Sequence, residues 1–196
     1  ILNSNHNNTL AFWDVIMLTD KEEAKQKIAK LVADYQALTS AQVKTYHEAK
    51  TKQGFVEPLF RSLGWDFDDV EEVAPEESAS KGRVDYAFKL KGVSRFYLEA
   101  KPLKADLNNL EYIKQAITYA YNKGVTWAAL GSFDRLRLFN AQTGLPFLNL
   151  TSEHYLDDFD RLWLLSKESI ADGALDKEAA KVGALPPPQP VEKLLF

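Results

Sequence analysis

The sequence predicts an α/β fold in which a mixed central sheet is flanked by helices, with extra helices at both ends. Helical periodicity and strand alternation succeed one another as helix, three strands, helix, two strands. Two alternating runs, RVDYAFKL and RFYLEAKPL, flank KGVS in the manner of a hairpin. With 196 residues, 45% of them apolar and 27% charged, the chain has enough apolar side chains for one full core.

The segment DKEEAKQKIAKLVADYQAL is rich in Ala, Glu and Lys and places Ile28, Leu31 and Tyr35 on one helical face. The sole Met, Met17, directly precedes LTDKEE, in which Thr19 and Glu22 have the spacing of a capping box. Residues 1–20 are therefore expected to be an N-terminal extension, with Met17 as the natural first residue. A second helix is expected from Ala41 to Leu63 through Tyr46, Ala49, Val56 and Phe60, kinked at Pro58 and ended by Gly64. VEEVA reads as a weak strand and ESASKG as a loop. After the hairpin, residues 107–123 predict a helix whose apolar stripe is Leu107, Leu110, Ile113, Ile117 and Ala120. VTWAALGSF and RLRLF read as two strands joined at Asp134, followed by helices around DDFDRLWLLS and DKEAAKV.

The core is thus expected over 21–150 and C-terminal helices over 151–183. Residues 184–196 contain ALPPPQP, a stiff polyproline-type linker. The chain begins with Ile and ends inside the apolar pattern VEKLLF, so a further domain is expected beyond Phe196. The absence of Cys excludes a disulfide framework and a thiolate metal site. No apolar run approaches the roughly 20 residues of a membrane span and no signal peptide is visible, so a cytoplasmic location without membrane partners is expected.

The net charge of −4 argues against indiscriminate nucleic-acid binding, but it is unevenly spread. Residues 81–140 hold eleven Lys and Arg against five Asp and Glu, net +6, while the remainder holds 13 against 23, net −10. A basic segment in an acidic chain fits a polyanion site. It equally fits a salt-bridged surface.

The hairpin carries the chemistry. Val84, Tyr86, Phe88 and Leu90 share one face of its first strand, and Phe96, Leu98 and Ala100 share one face of its second. Packing both on one core requires paired residue numbers with an even sum, which a three-residue or bulged loop containing Gly92 can supply. A sum of 184 sets Asp85 opposite Glu99, with Lys101 beside them on the same face. Opposed carboxylates repel, so a positive group should lie between them. Lys101 alone can be that group. A hard divalent cation such as Mg2+ is the alternative with chemistry, since it takes carboxylate oxygens, polarises a phosphoryl oxygen and activates a bound water. Lys101 would then stabilise charge in the transition state.

GRVDYAF followed by YLEAK resembles the PD-(D/E)XK nuclease superfamily, with Asp85, Glu99 and Lys101 at the motif positions and Val in place of its Pro. HEAKTKQGFVEPLFRSLGW is similar to the first core helix of the N-terminal nuclease domains of type I and type IIG restriction–modification enzymes. Glu48 stands there as the early acidic residue. QAITY matches the Gln-x-x-x-Tyr motif, with Gln115 and Tyr119 at its ends. The resemblance spans about residues 45–140.

It implies a restriction-endonuclease-like αβββαβ core and Mg2+-dependent hydrolysis of double-stranded DNA. It implies a metal held at Asp85, Glu99 and Ala100, and DNA contacts from Lys81, Arg83, Gln115 and Tyr119. It also implies downstream methyltransferase, motor or specificity domains as partners. The residues leave plainer readings open. Glu48 can pair with Lys52 at i, i+4, and Glu57 rivals Glu48. Tyr112, Gln115 and Tyr119, expected opposite the Leu110/Ile117 stripe, can contact a DNA phosphate or base, or pack under the C-terminal helices. His6, His47 and His154 read as structural or surface residues. The function expected is cleavage by a restriction endonuclease domain. The alternatives are a non-catalytic nucleic-acid-binding or scaffolding domain, and a repair exonuclease or resolvase on the same fold.

Overall fold

Residues 7–75, 78–79 and 82–184 are described by a computed structural model. The first helix, α1 (Asn7–Gln36), runs straight through Thr19, so the capping box expected there does not start it. The segment contains neither Gly nor Pro, and extending an existing helix costs far less than nucleating a new one. Ala24, Ile28, Val32 and Tyr35 are its buried face, with Leu31 only partly covered.

The single helix expected over 41–63 is interrupted. A short α2 (Ser40–Val43) is opened by a true capping box of Thr39 and Gln42. Tight turns, Tyr46 N–H to the Val43 carbonyl and His47 N–H to the Thr45 carbonyl, then lead to an extended His47. The rod that follows is α3 (Glu48–Thr51), a π-helical turn (Lys52–Val56) and α4 (Glu57–Ser62). The irregularity thus precedes Pro58 instead of centring on it. An α-helical Pro58 would crowd the carbonyl four residues back. The π turn closes with Glu57 N–H on the Lys52 carbonyl, immediately before that proline. The rod ends as expected at Gly64, whose φ of +90° allows Trp65 N–H to reach the Phe60 carbonyl.

The strands are β1 (Val73–Pro75), the small pair β2 (Ser78–Ala79) and β3 (Gly82–Arg83), β4 (Tyr86–Leu90) and β5 (Val93–Ala100). The expected ESASKG loop therefore contains strand residues. Then come α5 (Leu110–Asn122), β6 (Trp127–Gly131), β7 (Arg135–Asn140) and β8 (Pro146–Thr151). The chain closes with a 3-10 turn (Ser152–His154), α6 (Phe159–Trp163), α7 (Lys167–Ala171) and α8 (Ala174–Lys181). Six strands form one sheet in the order β1-β4-β5-β6-β7-β8; β5 and β6 are parallel and the other neighbours antiparallel. β8 was not expected, since PFLNLT opens on a proline and only helices were expected after the RLRLF strand. Lys81, His6 and the proline-rich residues 185–190 lie outside the described residues.

Both faces of the sheet are buried, as expected for a central sheet flanked by helices. Phe88, Phe96, Leu98, Trp127 and Ala129 join the face shared with α1, the α3–α4 rod and α6–α8. Ala87, Tyr97, Ala128 and Leu130 join the face covered by α5. The larger core is aromatic at its centre. Phe88 stacks on Phe96 at 4.2 Å between centroids, and the Trp65 ring meets Phe88 edge-on at 5.1 Å. The Trp65 indole N–H donates to the Leu165 carbonyl at 2.9 Å, so this ring is buried without stranding its polar atom.

α5 keeps most of the expected stripe: Ala120 is buried, Ile113 and Ile117 pack against the core, and Leu107 is buried just ahead of the helix. Ala116, Tyr119 and Ala120 are buried, whereas Leu110 is 79% exposed. Tyr119, expected on an open face, meets Tyr97 edge-on at 4.9 Å and is a core residue. Burial at 112/113, 116 and 119/120 is the face that a helix lying on the sheet presents. Leu110, in its first turn, overhangs the end.

Candidate active site at the open end of the hairpin

The hairpin has the expected register. Tyr86 pairs with Leu98, Ala87 with Tyr97 and Phe88 with Phe96, each summing to 184. A bulge between Phe88 and Lys89 then shifts the ladder, and Lys91 and Gly92, both at positive φ, make the two-residue turn. Asp85 lies one residue beyond the ladder, in a bend. That bend moves Val84, expected on the Tyr86 face, to the α5 face beside Ala87 and Tyr97. Asp85 does not stand squarely across from Glu99. Its Oδ2 instead accepts the Ala100 N–H at 2.7 Å, and its Oδ1 accepts from Lys52.

Strand β5 ends for a local reason. Lys101 N–H continues the parallel ladder to the Gly131 carbonyl at 2.8 Å, and Pro102 has no N–H with which to extend it. Leu103 N–H turns away to Thr51 Oγ1 at 3.2 Å, and the same hydroxyl donates to the Tyr46 carbonyl at 3.1 Å. Thr51, fully buried, thereby ties the segment after Lys101 to the rod that carries Glu48 and Lys52.

Glu99 and Lys101 follow Tyr97 onto the α5 side. Glu99 is 5% and Lys101 8% exposed, and Lys101 Nζ lies 2.6 Å from Glu99 Oε1. The ammonium also sits 4.7 Å from the Tyr112 ring centroid, a cation–π contact. Gln115 donates to the same Glu99 oxygen at 2.7 Å. Burial, followed by the Asp85 and Glu48 charges, pushes the Glu99 carboxyl above its ordinary range in spite of Lys101.

Glu48 joins through Lys52, at 3.4 Å in the i, i+4 arrangement anticipated from its plainer reading. Glu57 lies on the far side and accepts from the Tyr86 hydroxyl at 2.7 Å. Burial and then the Glu57 hydrogen bond hold that phenol well above its usual range. His47 stands at the N-cap position of α3 without a side-chain cap bond, and His154 Nδ1 lies 2.9 Å from Thr151 Oγ1. Of Arg83 only the backbone, in β3, is described.

The structure therefore gathers Glu48, Asp85, Ala100, Glu99, Lys101 and Gln115, and leaves Tyr119 in the core. Lys52 and Thr51 were not expected as site residues, and Tyr112, expected to contact DNA or pack under the C-terminal helices, instead meets Lys101. Among the described residues no group of three or more His, Asp or Glu side chains is arranged to hold a metal ion. The donor chemistry nonetheless fits a hard cation. Asp85 is bonded to the Ala100 N–H, its charge acts on Glu99, and the two lysines leave three carboxylates only partly balanced.

No family model matches the chain. Over an alignment of 189 residues it is 24% identical to the type II restriction enzyme and methyltransferase RM.Eco57I of Escherichia coli, covering 84% of this chain and 19% of that protein. The chain thus spans about a fifth of the relative's length. A fragment structure assigned to an HsdR subunit of a type I restriction enzyme from Vibrio vulnificus YJ016 matches 58% of this chain and 25% of its own. The identity is 19% and the TM-score 0.43. The chain is similar to a segment of a restriction enzyme and folds as an α/β domain with a six-stranded mixed sheet between helices. No helix among the described residues is long and apolar enough to cross a membrane.

Proposed function

We propose that the chain is a divalent-metal-dependent deoxyribonuclease domain of the PD-(D/E)XK type, the cleavage module of a restriction–modification enzyme. What supports this reading is that Asp85 is bonded to the Ala100 N–H, next in the chain to Glu99, while Glu99 accepts from Lys101 and from Gln115 on the next helix. Asp85 and Glu99, with the Ala100 carbonyl, are the groups that would hold Mg2+. When bound, that ion supplies a Lewis acid for the scissile phosphate and an activated water.

The chain's own residues do the rest. Ala100 N–H fixes one oxygen of Asp85, and Gln115 fixes one oxygen of Glu99. Lys101, set on the Tyr112 ring, places a positive charge where negative charge builds on the phosphoryl oxygens. Lys81 and Arg83, just ahead of Asp85, together with the +6 balance of residues 81–140, would draw the DNA backbone to this end of the sheet. Sequence recognition would then belong to partner domains, as the methyltransferase in the relative's name suggests.

One observation favours a non-catalytic DNA-binding domain instead: Asp85 and Glu99 each already have a lysine partner. Nicking of supercoiled plasmid separates the two. The wild-type chain should nick with Mg2+ and not with EDTA, and Asp85→Ala and Glu99→Gln should each lower the rate at least about 100-fold, about 2.7 kcal/mol of barrier. Equal nicking by wild type and both variants, or none by any, sinks the nuclease reading.

A further inference from the structure

Three carboxylates, Glu48, Asp85 and Glu99, and two ammonium groups, Lys52 and Lys101, meet at this end of the hairpin. Lys101 has its role beside Glu99. Lys52 belongs to none of the matched catalytic positions, yet its ammonium is bonded directly to Asp85, beside the Ala100 N–H. Its side chain is 16% exposed and that of Asp85 14%, with Glu48 at 3.4 Å on its other side and the Tyr86 ring centroid 5.9 Å away. Burial works against its charge, but Asp85 and then Glu48 outweigh burial and hold the ammonium above its ordinary pKa. Lys52 also opens the π-helical turn, a local departure from α geometry that concentrates at functional sites.

We propose that Lys52 is an internal counter-ion that holds Asp85 until a divalent cation takes its place, and that DNA drives the exchange by offering the ammonium a phosphate. This rests on the reading of Asp85 and Glu99 as cation ligands. An ammonium and a divalent ion on one carboxylate repel each other, so each weakens the other's hold on Asp85. Lysine suits the exchange because its charge rides on a flexible four-carbon stem and binds phosphate as a point charge. Linkage then requires that DNA tighten cation binding and that the cation tighten DNA binding by the same factor. Free protein would carry little metal, and the site would load on its substrate.

The test is calorimetric titration of Ca2+, as a non-cleaving cation, into wild type, Lys52→Met, Lys52→Gln, Lys52→Arg and Asp85→Asn. Each is measured with and without a short DNA duplex. Wild type should bind Ca2+ weakly alone and about tenfold more tightly with duplex. Lys52→Met should bind about tenfold more tightly than wild type without DNA, and gain little more from it. Lys52→Gln serves the same purpose should the Met variant fold poorly, and Lys52→Arg should behave as wild type. If both neutral variants bind Ca2+ no better than wild type while Asp85→Asn abolishes binding, the exchange is overturned and the metal site stands. Binding that survives Asp85→Asn, or absence of binding in every variant, overturns both.

Discussion

Gln115 on α5 and Lys101 at the end of β5 donate to one and the same oxygen of Glu99, at 2.7 and 2.6 Å. The carboxylate is therefore held by two elements, the strand that carries it and the helix that crosses back over the sheet. A group held this way has one orientation to offer a cation. Gln115 itself is exposed at the helix surface, so its role lies in aiming Glu99 and not in packing.

Gln115→Ala should therefore leave the melting temperature within a few degrees of wild type. Groups that orient a metal-ligating side chain usually contribute 10–100-fold to metal affinity or activity, and about that loss is expected here. Duplex affinity without metal should be unchanged. A variant that loses DNA affinity and keeps metal affinity would make Gln115 a DNA contact instead.

The raised Glu99 carboxyl has a consequence for stability against pH. The folded state holds that proton more tightly than the unfolded chain, whose carboxyl titrates near 4.5. In the window just above 4.5 the native state binds more protons, so stability falls as pH rises through it. Glu99→Gln should flatten this part of the curve. At neutral pH it should stay within about 1 kcal/mol of wild type, because the amide oxygen still accepts from Lys101. Glu99→Ala strands a buried ammonium and should cost about 3–5 kcal/mol. Thermal melts of the three proteins between pH 4 and 8, without metal, measure this. A Gln variant as unstable as the Ala variant would show that the charge of Glu99 supports the fold.

Thr51 is a structural tie to the site. Thr51→Val keeps shape but removes the acceptor of Leu103 N–H and the donor to the Tyr46 carbonyl. Leaving these buried backbone groups unpaired should cost about 1–3 kcal/mol by urea denaturation. An unchanged midpoint would mean that the segment after Lys101 is held by packing alone.

What could be read from the sequence follows from which forces act locally. Alternation from Tyr86 to Phe88 and from Phe96 to Leu98 fixed the pairing sum, because a slip by one residue would turn Phe88 and Phe96 out of the core. The same alternation misplaced Val84, since the bend at Asp85 leaves no periodic trace. Leu110 misled the reading of α5. Hydrophobicity said it should be inside, but its place in the first helical turn leaves it nothing to pack on. β8 escaped because a proline heads it, and proline is tolerated at the first residue of an edge strand. Asp85, Glu99 and Lys101 were visible as a motif. Lys52 was visible as a helical neighbour of Glu48 and as the basic member of the Thr-Lys pair, but not as a partner of Asp85, because that contact spans 33 residues and depends on tertiary structure.

The most direct test of the central claim is the position of a cation at Asp85 and Glu99. Crystals of the wild-type chain with a DNA duplex and Mn2+ should show an anomalous peak touching a carboxylate oxygen of each residue, at about 2.0–2.2 Å, with Lys52 moved off Asp85. The same experiment on Asp85→Asn should show no peak there. A wild-type crystal at saturating Mn2+ with no such peak, and Lys52 still on Asp85, would contradict the account.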